Sequence, residues 1–228
     1  MTTPPDPAPT LSEWDVESIG PHRLLAGDVT APGALDTLML GERADIIYTD
    51  PPWGPGALQM FATMHRRGSA PAVAWPEFLR RFCERIAAAR ARGRDTPVFV
   101  EMGERWADET AAAMTAADMP VARMLTTTYG SGAKLTKQRV LYSGPVMPVR
   151  LDVEGKRGEK LPVECLRAVQ MMTPMGADQG PRIVLDPCCG LGITAKATQR
   201  RRMCFRGLEL NPARLARTAA WLRGAVSK

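Results

Sequence analysis

The chain has 228 residues, of which 45% are hydrophobic and 24% charged, a composition that excludes a disordered or fibrous protein and is sufficient for one buried core. No run approaches the roughly 18 apolar residues that a membrane span needs, and the first residues lack a signal-peptide pattern, so we expect a cytoplasmic protein with no membrane partner. The formal net charge of +6 favours a polyanionic partner such as nucleic acid.

The first part of the chain predicts a tail followed by two strands. Residues 1–15 are rich in proline and threonine and have few apolar side chains, so we predict a disordered tail, with a single domain over 16–228. The runs RLLAGD and ADIIYTD read as short apolar strands that end in Asp28 and Asp50, and a helical pattern over residues 35–40 separates them.

The rest of the chain alternates between helical and strand patterns. A Gly-, Pro- and Arg-rich segment over 54–75 predicts a loop with a short helix beside the substrate. The following pattern is helix 76–92, strand PVFVEM, helix 104–117, strands VARMLTTTY and RVLYSG as an antiparallel edge pair, helix 161–172, strand RIVLD, helix 193–201, strand CFRGLEL and a final helix through Trp221. This alternation predicts an α/β Rossmann-like fold with a mainly parallel sheet and an antiparallel edge.

The cysteines give no indication of a metal site. The five cysteines show no CxxC spacing, and His22 and His65 are the only histidines that could join them. We therefore predict free thiols and no metal.

A glycine-rich turn, DPCCGLGIT over 186–194, lies between an apolar strand and a helix, as a nucleotide-cofactor loop does. Gly190 and Gly192 would let the backbone approach a ligand closely, while free amides at the helix start could meet a carboxylate or phosphate. Glu209 ends the next strand about 20 residues later, where an acidic side chain can accept bonds from both ribose hydroxyls. These residues alone also fit NAD, or a cofactor-free turn in which Glu209 caps a helix.

The sequence Asp50-Pro51-Pro52-Trp53 follows the strand ADIIYTD. The prolines stiffen the loop. An aromatic amine is a weak nucleophile because its lone pair is delocalised into the ring, so it needs acceptors that favour a pyramidal nitrogen, and Asp50 and the Pro52 carbonyl can supply two. Trp53 offers a stacking surface for a base, a contact of about 1–3 kcal/mol. The motif predicts an amine-methylation pocket; the alternative is a strand-ending turn whose tryptophan packs in the core.

Together these motifs resemble the beta class of DNA amino-methyltransferases, the permuted arrangement in which a DPPW-type motif precedes the glycine motif. The resemblance covers LLAGD, DIIYTDPPW, EKLPVECL, IVLDPCCGLGITAKA and FRGLELNP, in pieces from Leu24 to Trp221. It implies direct, in-line transfer of a methyl group from S-adenosylmethionine to an exocyclic amine. The acidic residue before Pro-Pro resembles adenine-N6 enzymes more than cytosine-N4 enzymes.

The resemblance also implies roles for individual residues. The ribose of the cofactor would be bound by Glu209, and Asp28 would lie near its adenine. Lys160 and Glu164 occupy the positions of a family Lys-Pro-Glu run that packs over the methionine end. The residues that would hold the methionine part are Asp186, Pro187, Gly190, Gly192 and Thr194.

There are two departures from the family pattern, and the second affects the expected substrate. Cys188-Cys189 replaces an aromatic and a small residue, and only residues 145–158 separate RVLYSG from EKLPVE, where DNA enzymes insert a recognition domain. We predict DNA as the partner. Its phosphates would be bound by basic side chains on two loops, Arg66, Arg67, Lys134 and Lys137. The short region leaves open cytosine N4, RNA, a nucleotide or another small amine as target, a homodimer or a separate recognition subunit, and a non-catalytic nucleic-acid-binding subunit.

Overall fold

A mixed sheet forms the centre of the protein, for which the computed structural model describes residues 15–64, 73–129, 136–147, 150–151, 153, 158–172 and 180–227. The strands are β1 (Val16–Ile19), β2 (His22–Ala26), β3 (Ile46–Thr49), β4 (Val98–Gly103), β5 (Arg123–Tyr129), β6 (Thr136–Ser143), β7 (Ile183–Asp186) and β8 (Cys204–Glu209). They form an 8-stranded sheet in the order β1-β2-β8-β7-β3-β4-β6-β5. Strands β2, β8, β7, β3 and β4 are parallel, whereas β1, β5 and β6 pair antiparallel with their neighbours.

Helices cover both faces of this sheet. They are α1 (Ala34–Met39), α2 (Gly54–Thr63), α3 (Trp75–Ala88), α4 (Ala107–Ala116), α5 (Lys160–Met172), α6 (Ile193–Arg200) and α7 (Pro212–Val226). The α/β architecture and the mainly parallel sheet confirm the predicted fold class. None of the helices in the described ranges is long and apolar enough to cross a membrane.

Strand β3 shows why the central strands carry continuous apolar runs. Ile47 packs in the cluster that contains Phe82 of α3, whereas Ile46 and Tyr48 pack in the cluster that contains Cys165 of α5. A strand covered on both faces has no solvent side on which to place polar residues, so the run IIYT is buried throughout. The first polar position after it, Asp50, is therefore at the edge of the sheet.

The structure differs from the predicted elements mainly at their ends. Strand β1 was not predicted; it pairs with β2 through a Gly-Pro turn in which Gly20 has φ 53, so both edges of the sheet are antiparallel. Helix α2 spans Gly54–Thr63, where the sequence predicts mostly loop. Helix α3 ends at Ala88 rather than 92, because the chain then forms an isolated bridge with the segment before β3. Strand β6 starts at Thr136, so Lys137 lies in a strand.

Candidate active site at the carboxyl ends of the strands

Acidic side chains collect where the parallel strands end. Glu209 and Asp186 end β8 and β7, and Asp50 directly follows β3. Glu101 lies in the second half of β4, level with Asp50. These strands are neighbours in the sheet, so their ends share one edge, where open α/β sheets bind ligands. Asp28 lies beside them, because the Gly27 N–H donates to the Glu209 carbonyl oxygen at 3.1 Å.

The predicted catalytic motif has a defined geometry. The Trp53 indole Nε1–H donates to Asp50 Oδ1 at 2.8 Å, and the Trp53 ring lies over Gly103, where an added Cβ would be 2.9 Å from Cε3. Asp50 is exposed at the strand end, yet neighbouring protein removes enough of its hydration to raise its pKa to about 6, against the lowering effects of the Trp53 N–H and the Arg214 charge. Trp53 therefore orients the Asp50 carboxyl group and packs against Gly103 of β4.

Glu101 is a second carboxyl group beside Asp50, and the sequence did not identify it as a site residue. Continuing the β3–β4 register, in which Thr49 pairs with Val100, places Asp50 next to Glu101. The Tyr48 hydroxyl donates to Glu101 Oε1 and the Gln138 amide donates to Oε2. Burial and the Asp50 charge raise the pKa of Glu101. The available sequence pattern was one glutamate within the apolar strand PVFVEM.

The glycine turn is held together by the acidic residues around it. The Gly190 N–H donates to Glu209 Oε2 at 2.8 Å, and the Asn211 N–H donates to Glu209 Oε1 at 2.9 Å. The Cys188 N–H donates to Asp186 Oδ1 at 3.1 Å, while burial raises the pKa of Asp186 to about 7. The turn is therefore fixed in place by two strand-end carboxyl groups.

The two glycines of the turn both pack against α7. Gly192 has φ 77 and caps α6, and a Cβ on it would be 2.7 Å from Thr218 Cγ2. Gly190 has φ 53, and its Cβ would be 2.7 Å from a terminal nitrogen of Arg214. Both glycines are therefore required by the backbone conformation and by packing against α7, and their close approach to a ligand stays a prediction.

The residues present fit a ribose-bearing cofactor. A carboxylate has about four lone-pair sites, and the two backbone N–H donors to Glu209 leave acceptor positions for a pair of hydroxyl groups. The buried residues Pro187 and Thr194 flank the turn, and Thr194 lies in the first turn of α6. Asp28 Oδ1 accepts from both the backbone N–H and the hydroxyl of Thr30, at 2.7 and 2.8 Å, which fixes its carboxyl group.

Comparison with known proteins shows that the fold is shared. Neither a protein-family model nor a curated protein sequence matches the chain. Solved structures do match it: M1.HpyAVI in its complex with S-adenosylmethionine (TM-score 0.58, 14% identity, 88% of this chain and 98% of that one). TTHA0409 of Thermus thermophilus, provisionally assigned as a DNA modification methylase and complexed with S-adenosyl-L-methionine, also matches, with a TM-score of 0.60 and 15% identity over 90% of this chain and 94% of that one. The cytosine-N4-specific PvuII DNA methyltransferase matches with a TM-score of 0.58 and 12% identity, over 92% of this chain and 93% of that one.

The chain has the Rossmann-like methyltransferase fold. Within this fold, the remaining predicted cofactor residues lie on α5. Lys160 is exposed at the start of the helix, and Glu164 is buried and accepts from Arg167 at 2.6 Å. Burial and the charges of Glu101 and Glu164 raise the pKa of Cys165, so α5 packs near the Glu101 side of the site. The roles of Lys160 and Glu164 in cofactor binding stay predictions.

The predicted phosphate-binding cations are described only in part. Lys137 is exposed, and its ammonium lies 3.9 Å from Glu104 Oε2. Arg139, from the same strand, forms a 2.6 Å ion pair with Glu104 Oε1. Arg66, Arg67 and Lys134 lie outside the described residues.

Proposed function

We propose that the chain is an S-adenosylmethionine-dependent N-methyltransferase that modifies an exocyclic amine, with adenine N6 in DNA as the leading target. The observation that carries the proposal is the meeting of Asp50, the glycine turn and Glu209 on adjacent strand ends. A cofactor-free turn or a core tryptophan accounts for each motif separately, but not for their convergence at one edge of the sheet. Structural neighbours crystallised with this cofactor support the same choice over NAD.

In this proposal the protein holds the cofactor along the carboxyl ends of β7 and β8. Glu209 accepts hydrogen bonds from the ribose hydroxyls, and Asp28 lies beside the adenine. Asp186 and Thr194 lie at the methionine end, next to the Asp50 edge of the site. When bound, the cofactor supplies an electrophilic methyl group on a sulfonium.

The chemistry assigned to the protein is activation of the amine. Ionised Asp50 accepts a hydrogen bond from the target N–H, and the Pro52 carbonyl supplies the second acceptor, so electron density remains on the nitrogen. The Trp53 N–H holds the Asp50 carboxyl in place at 2.8 Å. After transfer the nitrogen carries a surplus proton, which Asp50 can take because its pKa is raised to about 6. A stacked base hides this amine, so the target must be flipped or single-stranded.

The choice of target rests on two arguments. The PvuII neighbour is a DNA methyltransferase, which favours DNA as the polymer, although that enzyme is cytosine-N4-specific. The acidic residue before Pro-Pro favours adenine through the family resemblance. The short segment over 145–158 keeps RNA, nucleotides and small amines as second candidates, with a partner chain for target recognition.

A transfer assay tests the proposal. The purified chain is incubated with methyl-labelled cofactor and, separately, with double-stranded DNA, single-stranded DNA, RNA and free nucleotides. We expect label in DNA, recovered as N6-methyladenine after digestion. Label in N4-methylcytosine or RNA would change the target while keeping the reaction. A chain that binds neither the cofactor nor S-adenosylhomocysteine would overturn the proposal.

A further inference from the structure

Arg214 reaches into the candidate site from outside the recognised motifs. It lies in the first turn of α7, directly after β8, and its guanidinium lies against Gly190, where an added Cβ would be 2.7 Å from a terminal nitrogen. The same group lies 5.1 Å from the centre of the Phe61 ring on α2. Arg214 therefore crosses from the β8 end, over the glycine turn, to the helix that follows Trp53.

One donor of this guanidinium, Nε, is buried without an acceptor among the residues that the structure describes. An unmade hydrogen bond at a buried donor is costly, so such a group in a native site indicates a missing acceptor.

The surrounding charge shows what kind of ligand is suitable. The positive charge of Arg214 lowers the pKa of the Asp50 and Glu209 carboxyl groups, against the raising effect of burial. S-adenosylmethionine carries positive sulfonium and ammonium groups, which suit this acidic edge, and a single carboxylate, which does not. Arg214 supplies a positive charge next to the turn that holds the methionine part, and its planar fork matches a carboxylate.

We propose that Arg214 binds the carboxylate of the cofactor's methionine part. This rests on the proposed function, since it assumes that S-adenosylmethionine occupies the site. A backbone phosphate of the nucleic acid is the competing anion. The carboxylate is favoured because a terminal nitrogen of the half-buried Arg214 lies against Gly190, a buried residue of the glycine turn.

Calorimetry with two ligands tests the assignment without turnover. S-adenosylhomocysteine carries the carboxylate, whereas 5′-methylthioadenosine has the same adenosine and sulfur but lacks the amino-acid part. We expect Arg214→Met to weaken S-adenosylhomocysteine binding about 10- to 100-fold and to change methylthioadenosine binding by less than about 2-fold. Arg214→Lys keeps the charge and loses the fork, so it should give an intermediate loss. Arg217→Met, an exposed arginine one turn later on α7, is the matched control and should bind both ligands normally.

The remaining outcomes separate this inference from the function on which it rests. Equal weakening of both ligands, with a lowered melting temperature, would make Arg214 a structural residue of the turn. Tighter S-adenosylhomocysteine binding by Arg214→Met would mean that the side chain obstructs the site. Unchanged S-adenosylhomocysteine binding together with weaker DNA binding would assign Arg214 to a phosphate. Each of these overturns the inference, whereas failure of the native chain to bind either ligand contradicts the proposed function itself.

Discussion

The two ends of the parallel strands, the amino edge and the carboxyl edge of the sheet, place charged residues in opposite ways. At the amino edge, Glu42 accepts hydrogen bonds from Arg23 at 2.9 Å and from Arg206 at 2.8 Å, and Arg206 is also bonded to the Pro21 carbonyl. At the carboxyl edge, Asp50 and Glu101 lie side by side, with Asp186 on the next strand. Burial raises the pKa of each of these acids.

We infer that this difference separates groups that maintain the fold from groups that would bind a ligand. Pairing a buried charge satisfies it and fixes the chain, as at the Glu42 cluster. Placing desolvated acids together raises their pKa values, and such perturbed groups are typical of functional sites. The contrast therefore predicts that substitutions at the carboxyl edge reduce activity, and that those at the amino edge reduce stability.

The largest expected effect is on turnover at the carboxyl edge. Asp50→Asn keeps the shape of the side chain and an oxygen for the Trp53 N–H but removes the anionic acceptor, so methyl transfer should fall by about 100-fold or more. Cofactor affinity should change little, because this interaction is made mainly in the transition state. Single-turnover transfer and calorimetry measure the two quantities. Near-native turnover in this variant would contradict the assigned mechanism.

Gly192 is an expected exception to this comparison. It lies at the carboxyl edge, but its role is in packing, so its substitution should reduce stability. Gly192→Ala places a Cβ 2.7 Å from Thr218 Cγ2 at a residue with φ 77. The left-handed conformation alone costs about 1–2 kcal/mol, and the overlap adds to it. Urea unfolding of the single variant and of Gly192→Ala with Thr218→Ala would measure this, and the double variant should recover part of the loss. Full stability in the single variant would show that α7 moves freely.

Removal of the acceptor at the amino edge should reduce stability without affecting chemistry. Glu42→Gln leaves the buried Arg206 guanidinium without its anionic partner, at a cost of about 1–3 kcal/mol. Transfer per folded molecule should be native. Glu77→Gln, which breaks exposed ion pairs on α3, is the control and should unfold close to the native midpoint. If Glu42→Gln impaired transfer in the folded protein, the two edges would not be independent.

A smaller effect concerns the pH dependence of the reaction. Asp50 must be ionised to act as an acceptor, so activity should rise with pH through about 6, the raised pKa of Asp50. Trp53→Phe keeps a ring but removes a donor that lowers this pKa, so the acidic limb should move to higher pH by up to about one unit. A pH–rate profile of both proteins measures this. An unmoved limb with weaker substrate use would make Trp53 a stacking surface alone.

The smallest expected effect is on nucleic-acid binding at the rim. Lys137→Glu should weaken DNA binding modestly and reduce the salt slope by about 1 if Lys137 contacts a phosphate. Glu104→Gln should do the opposite, because Glu104 lies 3.9 Å from the Lys137 ammonium and pairs with Arg139. Arg94→Glu, at an exposed site before β4, is the control. Identical slopes in all four proteins would place the nucleic acid elsewhere.

The sequence predicted the central strands and the helices packed on them because a fully buried strand and an amphipathic helix both leave clear patterns. It did not predict β1, because VESI is short and mixed in character and becomes a strand only by pairing with β2. The start of β6 was placed too late for a similar reason, since the polar residues TKQ belong to the strand through their pairing with β5.

The site was predictable where chemistry depends on consecutive residues. Motifs predicted Asp50 with Trp53, and the glycine turn with Glu209, and the structure joins each pair by a hydrogen bond, while their roles stay predictions. Glu101 and Arg214 were not predicted, because each acquires its meaning from contacts distant in sequence: Glu101 from Tyr48 and Gln138, and Arg214 from Gly190. A glutamate in a strand or an arginine in a helix has no pattern that indicates such a neighbour.

Because β1 and α7 are in contact, the order of the two motifs along the sequence depends on where the chain has its two ends. A Cβ on Gly20 would lie 2.9 Å from Val226, and Arg223 pairs with Glu17, so the first strand and the last helix already touch. A short peptide joining them, with new ends between α5 and β7, would put the glycine turn first and DPPW second without moving a strand. Circular permutation of this kind relates two linear sequences that share a single three-dimensional site.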